Sequence, residues 1–317
     1  MSTEPATLIQ IDPWSIRRNP NNPRRYFNDE QLDLLRTSVQ EVGILVPLIA
    51  YEDPDEPGSF VLMDGERRWR CALDLGLDAV PASTIAPPTP LDNLLRMFNI
   101  HSVREDWPLI AVALSLREVI RISGEERESR LAERTGLTRA TVRRAKRLLN
   151  LPDRELELIQ AEAHLDRSQQ VHREDLYLEI EQATSVVRGE LPAVAERFSR
   201  DDVIRSFAKK AEARTLRAVT EFRDVAKLVK AADNDLVSTA TVTSAVIRLI
   251  EDVEATPTAV FNEVAALAFE QQSAARKADL LRESLAQFAP NGELSAAFRE
   301  ALSELRDAIT QLLERRG

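Results

Sequence analysis

Cysteine occurs once, at Cys71, and histidine three times, at His101, His164 and His172, in a chain of 317 residues. A lone thiol excludes an internal disulfide framework, and three scattered imidazoles offer no Cys/His spacing suited to a structural zinc site. Glycine is scarce too: there are nine, and only Gly189, Gly292 and Gly317 follow residue 152. The second half is short of the residues that punctuate sheets and tight turns, which predicts helices there. No apolar run approaches the roughly 18 to 20 residues that span a bilayer, and Met1 to Gln10 lacks a basic segment followed by an apolar one. The expectation is a cytoplasmic chain with no membrane partner.

Apolar residues make up 44% and charged residues 30%, enough to bury real cores, and the length calls for two or three folded units. The net charge of −10 argues at first against a nucleic-acid partner, but the acid is concentrated after residue 152. Arg127 to Arg147 holds eight bases and two acids, a net of +6. One compact segment is strongly basic. No repeat of fixed period shows by inspection.

Residues 8–85 alternate short apolar runs, Leu8–Ile11, Leu45–Tyr51, Phe60–Met63 and Val80–Ile85, with Pro, Gly and Asn/Asp clusters, which reads as strands and turns. Asp29 to Val42, followed by Gly43, predicts a helix, as does the segment from Gly65 to Gly76. Ala86 to Pro90 carries three prolines and marks a boundary. Helical periodicity then runs to about Ile122, broken near Trp107-Pro108. The predicted units are 1–90, 91–190 and 191–317: an α+β N-terminal domain, an all-α domain and an all-α C-terminal region.

Within the basic segment, Leu131 and Ala132 precede a turn at Gly136, Leu137 tucks inward, and Thr138 is placed to cap a second helix. Val142, Ala145 and Leu149 share one face of that helix, and Arg139, Thr141, Arg143, Arg144 and Lys146 occupy the rest. This is a helix-turn-helix with a core side and a basic side, suited to the major groove of double-stranded DNA. The candidate DNA-binding residues are Thr138, Arg139, Thr141, Arg143, Arg144 and Lys146. An amphipathic pair with solvated arginines is the bland alternative.

Asp64-Gly-Glu-Arg-Arg-Trp-Arg70 follows a predicted strand and opens a predicted helix, where free backbone N–H groups, the helix dipole and arginines suit a phosphate. The same arginines could equally pair with Asp64 and Glu66 as a surface ion cluster. Asp64 and Glu66 are the candidate general bases, and no paired carboxylate or nucleophile–base set accompanies them.

Asn19-Pro-Asn-Asn-Pro-Arg-Arg25, Val39-Gln-Glu-Val-Gly-Ile-Leu-Val-Pro-Leu48, Gly65-Glu-Arg-Arg-Trp-Arg70, Arg104-Glu-Asp106 and the helix-turn-helix ending in Leu148-Leu-Asn-Leu-Pro152 together resemble, in order and spacing, the ParB/RepB family of partition proteins. The resemblance covers about residues 8–152. It implies a ParB/sulfiredoxin-like N-terminal fold, CTP held with Mg²⁺, and a homodimeric clamp loaded on a centromere-like DNA site in plasmid, phage or chromosome segregation, nucleoid-associated and served by a ParA-type ATPase. On this reading Gly65, Glu66, Arg67 and Arg68 face the triphosphate, Gly43, Ile44 and Pro47 lie by the base, and Arg104 belongs to the third box. The chain departs from the family there: the residues ahead of Arg104 are Ile100-His-Ser-Val103, so the magnesium-linked carboxylate is missing. The alternatives are a ParB-fold enzyme, a nuclease or nucleotide phosphohydrolase with at most slow CTP hydrolysis, and a transcriptional regulator without a nucleotide switch. Apolar stripes such as Phe298, Leu302, Leu305, Ile309 and Leu312 need a partner, by bundle packing or self-association. The acidic surplus of the second half argues against DNA contact there.

Overall fold

A computed structural model describes residues 7–22, 29–101, 107–287 and 294–314, which divide into two compact units, 1–264 and 265–317. The first unit begins with five strands, β1 (Thr7–Ile11), β2 (Ile16–Arg17), β3 (Leu48–Glu52), β4 (Phe60–Asp64) and β5 (Val80–Ile85), in the order β1-β5-β3-β4-β2. The sheet is mixed: β1 with β5 and β3 with β4 run antiparallel, while β5 with β3 and β4 with β2 run parallel. Helix α1 (Asp29–Val42) and helix α2 (Glu66–Leu75) keep the predicted limits, and Gly43 and Gly76 end them at φ +74° and +64°. Two-residue β2 is too short to leave a periodicity in the sequence.

Strand alternation sends neighbouring residues to opposite faces of the sheet. Leu48, Leu62, Val80 and Ala82 pack with Ile11, Ile16 and Ala72 of α2. Tyr51, Val61 and Met63 pack instead with Met97 of helix α3 (Pro90–His101), so the sheet is covered on both faces. A polar network ties α3 to the sheet inside this packing. The Asn19 side-chain amide donates to Asn93 Oδ1 at 2.8 Å, and the Asn93 amide donates to the Tyr51 hydroxyl at 3.2 Å.

Beyond α3 the first unit is helical: α4 (Leu109–Ser123), α5 (Glu128–Thr135), α6 (Arg139–Leu149), α7 (Asp153–Glu162), α8 (Glu174–Glu190), α9 (Pro192–Arg197), α10 (Arg200–Glu212), α11 (Phe222–Asp233), α12 (Thr239–Glu251) and α13 (Pro257–Val264). The break predicted at Trp107-Pro108 falls between α3 and α4, with Pro108 just outside α4 instead of inside its first turn. The stretch from Arg197 to Ala232 divides into the end of α9 and two helices, because Ser199 forms a capping box with Asp202 and Arg214 turns left-handed at φ +57°. Lys210 of α10 is fully buried and donates to the carbonyls of Asp252 at 2.6 Å and Ala255 at 2.7 Å. Burial pushes its ammonium down to about 8.

The second unit holds α14 (Ala266–Gln287) and α15 (Ala296–Glu314). Of the predicted stripe on α15, Ile309 and Leu312 are exposed, and no described residue of that helix is buried. Among the described residues no helix is long and apolar enough to cross a membrane.

Candidate nucleotide pocket and nucleic-acid interface

The turn into α2 is built by Gly65, at φ +99° and ψ +23°, a conformation that costs a residue with a Cβ. Space is closed as well: a Cβ there would lie 2.6 Å from Leu48 Cδ2 and 3.1 Å from Arg68 Nη2. No side chain caps the helix, so the first-turn N–H groups of α2 keep their capacity for an outside acceptor. Arg68 reaches back from this turn, donating to the carbonyls of Val46 and of Pro47, the latter at 2.7 Å, and pairing with Asp64 at 3.3 Å. The turn at Gly65 is thus tied to Val46 and Pro47. Gly43 is exposed, and Ile44 packs partly into the sheet core.

Arg67 donates to the Gln31 carbonyl at 2.8 Å, which ties α2 to α1. Glu66 is turned inward and is 6% exposed. It pairs with Arg18 at 2.9 Å and Arg70 at 2.7 Å and accepts from the Asn22 amide at 2.7 Å. The ion-cluster reading of this segment is therefore realised, by Arg68–Asp64 and Arg70–Glu66, beside N–H groups that suit an anion. The described residues do not fit Mg²⁺: no group of three Asp, Glu, His or Cys converges, and Asp64 and Glu66 are already held by arginines. Arg104 lies outside the described residues, as does the side chain of His101.

The helix-turn-helix is α5 and α6. Gly136 adopts φ +73°, and Thr138 caps α6 by accepting from the Thr141 N–H at 3.1 Å. The two hydroxyls, 2.8 Å apart, also bond to each other, so Thr138 and Thr141 serve the cap first. Leu131, Ala132, Val142, Ala145 and Leu148 are buried. Leu148 takes the interior position expected of Leu149, which is half-buried, because α6 is covered by α4 on one side and α8 on another. Arg139 and Arg144 are exposed, and neither forms an ion pair among the described residues. Arg143 is exposed but pairs with Glu128 of α5 at 3.1 Å, and Lys146 folds back to the Glu126 carbonyl at 2.7 Å.

Two contacts from α8, one to α6 and one to α4, were not visible in the sequence. Glu181 of α8 accepts from Arg147 at 3.1 Å and pairs with Arg200 at 3.4 Å, and those arginines also donate to the carbonyls of Leu178 and Asn150. Glu174 begins α8 and accepts from the Ile110 N–H at 2.6 Å, filling the cap that Pro108 cannot give α4. No periodicity links residues 64 positions apart. Burial holds the Glu174 carboxyl above the usual carboxylate range, opposed by the Ile110 and Leu109 N–H groups and by the charge of Arg144. The native carboxyl thus keeps its proton to higher pH than the unfolded one, and the stability this contributes is lost as pH rises through the raised value. Glu174→Gln retains the acceptor without the charge. Its denaturation midpoint relative to the parent should rise as pH climbs above the ordinary carboxylate range, about 4.3, and a difference that stays flat would assign the pH effect elsewhere.

A mixed sheet with an uncapped Gly-Glu-Arg-Arg turn, continued by a helix-turn-helix, defines the class: an α/β module joined to a helical one. Residues 2–95 match the ParB N-terminal domain. The chain is 37% identical over 141 residues to the chromosome-partitioning protein ParB of Caulobacter vibrioides, a match covering 44% of this chain and 45% of the relative. The chain thus spans about half the length of that curated relative. Two solved structures of C-terminally truncated ParB from Caulobacter crescentus are also similar. The one complexed with CTP-gamma-S is 29% identical, covering 52% of this chain and 92% of that one at a TM-score of 0.30. The one complexed to the centromeric parS site is 25% identical, covering 70% and 98% at a TM-score of 0.42.

Proposed function

We propose that this chain is a DNA-binding partition protein of the ParB type, a CTP-responsive dimer that engages a centromere-like site in segregation of a plasmid, phage or chromosome. The observation that carries the proposal is the exposed Arg139 and Arg144 on a capped helix, in one chain with a ParB N-terminal domain. Two arginines on an open helix face supply the phosphate neutralisation and base-edge donors that a duplex requires. Uncapped N–H groups of α2 beside Arg67 and Arg68 supply the site for a nucleotide triphosphate, and Arg68 ties the carbonyls of Val46 and Pro47 to that turn. The exposed Ile309 and Leu312 at the far end of α15 form the self-association surface of the dimer. Any metal would arrive on the nucleotide, since the carboxylates nearby are occupied. The enzymatic alternative has no support from Asp64 or Glu66, both of which are tied to arginines.

The test enriches duplexes from a random pool with the full chain and then titrates CTP by calorimetry with and without the enriched duplex. A preferred duplex and CTP binding that changes in its presence are expected. No preference over random DNA defeats the DNA reading, and silence toward CTP in both titrations leaves a regulator without a nucleotide switch.

A further inference from the structure

The second helix of the helix-turn-helix, with its cap, has a counterpart one hundred residues further along. In α6 and its cap the sequence runs Thr138-Arg-Ala-Thr-Val-Arg-Arg-Ala-Lys-Arg-Leu-Leu149; in α12 and its cap it runs Ser238-Thr-Ala-Thr-Val-Thr-Ser-Ala-Val-Ile-Arg-Leu249. Alanine, threonine, valine, alanine and leucine recur in register, and the cap is the same device. Ser238 accepts from the Thr241 N–H at 3.2 Å and its hydroxyl lies 2.8 Å from the Thr241 hydroxyl. Val242 and Ala245 are buried, like Val142 and Ala145. Ahead of α12, Asp235 takes the left-handed conformation at φ +55° where Gly136 does so ahead of α6, and half-buried Leu236 and Val237 follow as Leu137 does. The turn is one residue longer, which is enough to hide the repeat from a search for a fixed pattern. Left-handed conformation in an aspartate carries a cost, so this turn is specified and not a default.

What differs is the outward face. The positions of Arg139, Arg143 and Arg144 are filled by Thr239, Thr243 and Ser244, buried Val246 and half-buried Ile247 stand at those of Lys146 and Arg147, and no charge occurs between Ser238 and Ile247. Thr239, Ala240 and Ser244 are exposed. A hydroxyl and methyl surface of this kind hydrogen-bonds base edges and packs on thymine methyl groups, but it neutralises no phosphate. The half beyond residue 152 is acidic as a whole, yet 222–251 carries four bases and four acids, so no local surplus repels a duplex.

We infer that α11 and α12 form a second DNA-reading head, one that adds sequence discrimination to a duplex whose affinity comes from the basic face of α6. The inference goes beyond the proposed function and rests on its DNA reading. It runs against the expectation, drawn from net charge alone, that the second half stays off DNA.

The experiment selects duplexes from a random pool with the full chain and with two variants. Parent protein is expected to enrich a site with two separate sequence blocks. Thr243→Val with Ser244→Ala should erase one block and weaken binding to the parent's site about 10-fold while leaving the salt dependence as it was, since no phosphate contact is removed. Thr239→Glu is the control for folding: an acid in the first turn favours the helix but repels a phosphate, so it should weaken the same binding in a folded protein. If both variants select the parent's site with the parent's affinity, the second head is disproved and the proposed function stands. If the parent enriches nothing, both readings fall together.

Discussion

Replacing Gly65 by alanine should cost about 2 to 5 kcal/mol of folding stability and abolish nucleotide binding in whatever protein still folds. Two penalties combine. The φ of +99° carries about 1 to 2 kcal/mol for a residue with a Cβ, and the new methyl would sit 2.6 Å from Leu48, a fully buried residue of the sheet core, adding about 1 to 3 kcal/mol of overpacking. The methyl also crowds the Arg68 guanidinium, which holds the carbonyls of Val46 and Pro47, so the segment beside the proposed base would shift with it. Gly43→Ala separates the two penalties. Gly43 has φ +74° but nothing within 4 Å of its would-be Cβ, so it should lose only about 1 kcal/mol. Urea midpoints for the two variants read the difference. Equal losses would show that backbone conformation alone, without the closeness of Leu48, makes Gly65 necessary.

The second large effect is expected on DNA. Arg139→Ala with Arg144→Ala should weaken binding of the enriched duplex by roughly 100-fold, since each charge-assisted contact is worth about 1.5 to 3 kcal/mol at most and neither arginine is otherwise engaged in an ion pair. The slope of log affinity against log salt should fall by about 1 to 2, because released counterions track phosphate contacts. Stability should change by less than about 0.5 kcal/mol, as both side chains are exposed. Arg147→Ala should show the reverse pattern, losing stability through its inward pairing with Glu181. Unchanged affinity in the Arg139 and Arg144 variant, measured at two salt concentrations, would remove the DNA-reading role from α6.

The parts of the fold that the sequence made legible are those fixed by neighbours along the chain. Gly136, Thr138 and the Val142–Ala145 spacing predict α6 because a cap, a left-handed glycine and a 3.6-residue period are all local. Gly65 to Gly76 was legible for the same reason. The failures are long-range. Lys146 and Arg143 look like open bases in the helix pattern, but Glu126 and Glu128, folded back across the turn, engage them. Glu66 looks like a solvent-facing acid at a helix start, yet Arg18 and Asn22, from the segment before α1, draw it into the interior. The two α/β faces could be read from alternation, but not that Asn93 of α3 reaches Asn19 and Tyr51 through the packed layer. The counterpart of α6 escaped because the turn ahead of it is marked by an aspartate in place of the usual glycine.

The anchoring of α6 has a consequence for how this reading head could be used. Its last turn is gripped through Glu181 by side chains from α8 and α10, more than thirty residues downstream. The orientation of α6 is therefore set by the chain beyond residue 173, and residues 128–150 are not a portable cassette. Grafted alone onto another scaffold, the motif would keep its cap and its arginines but lose the brace that aims them.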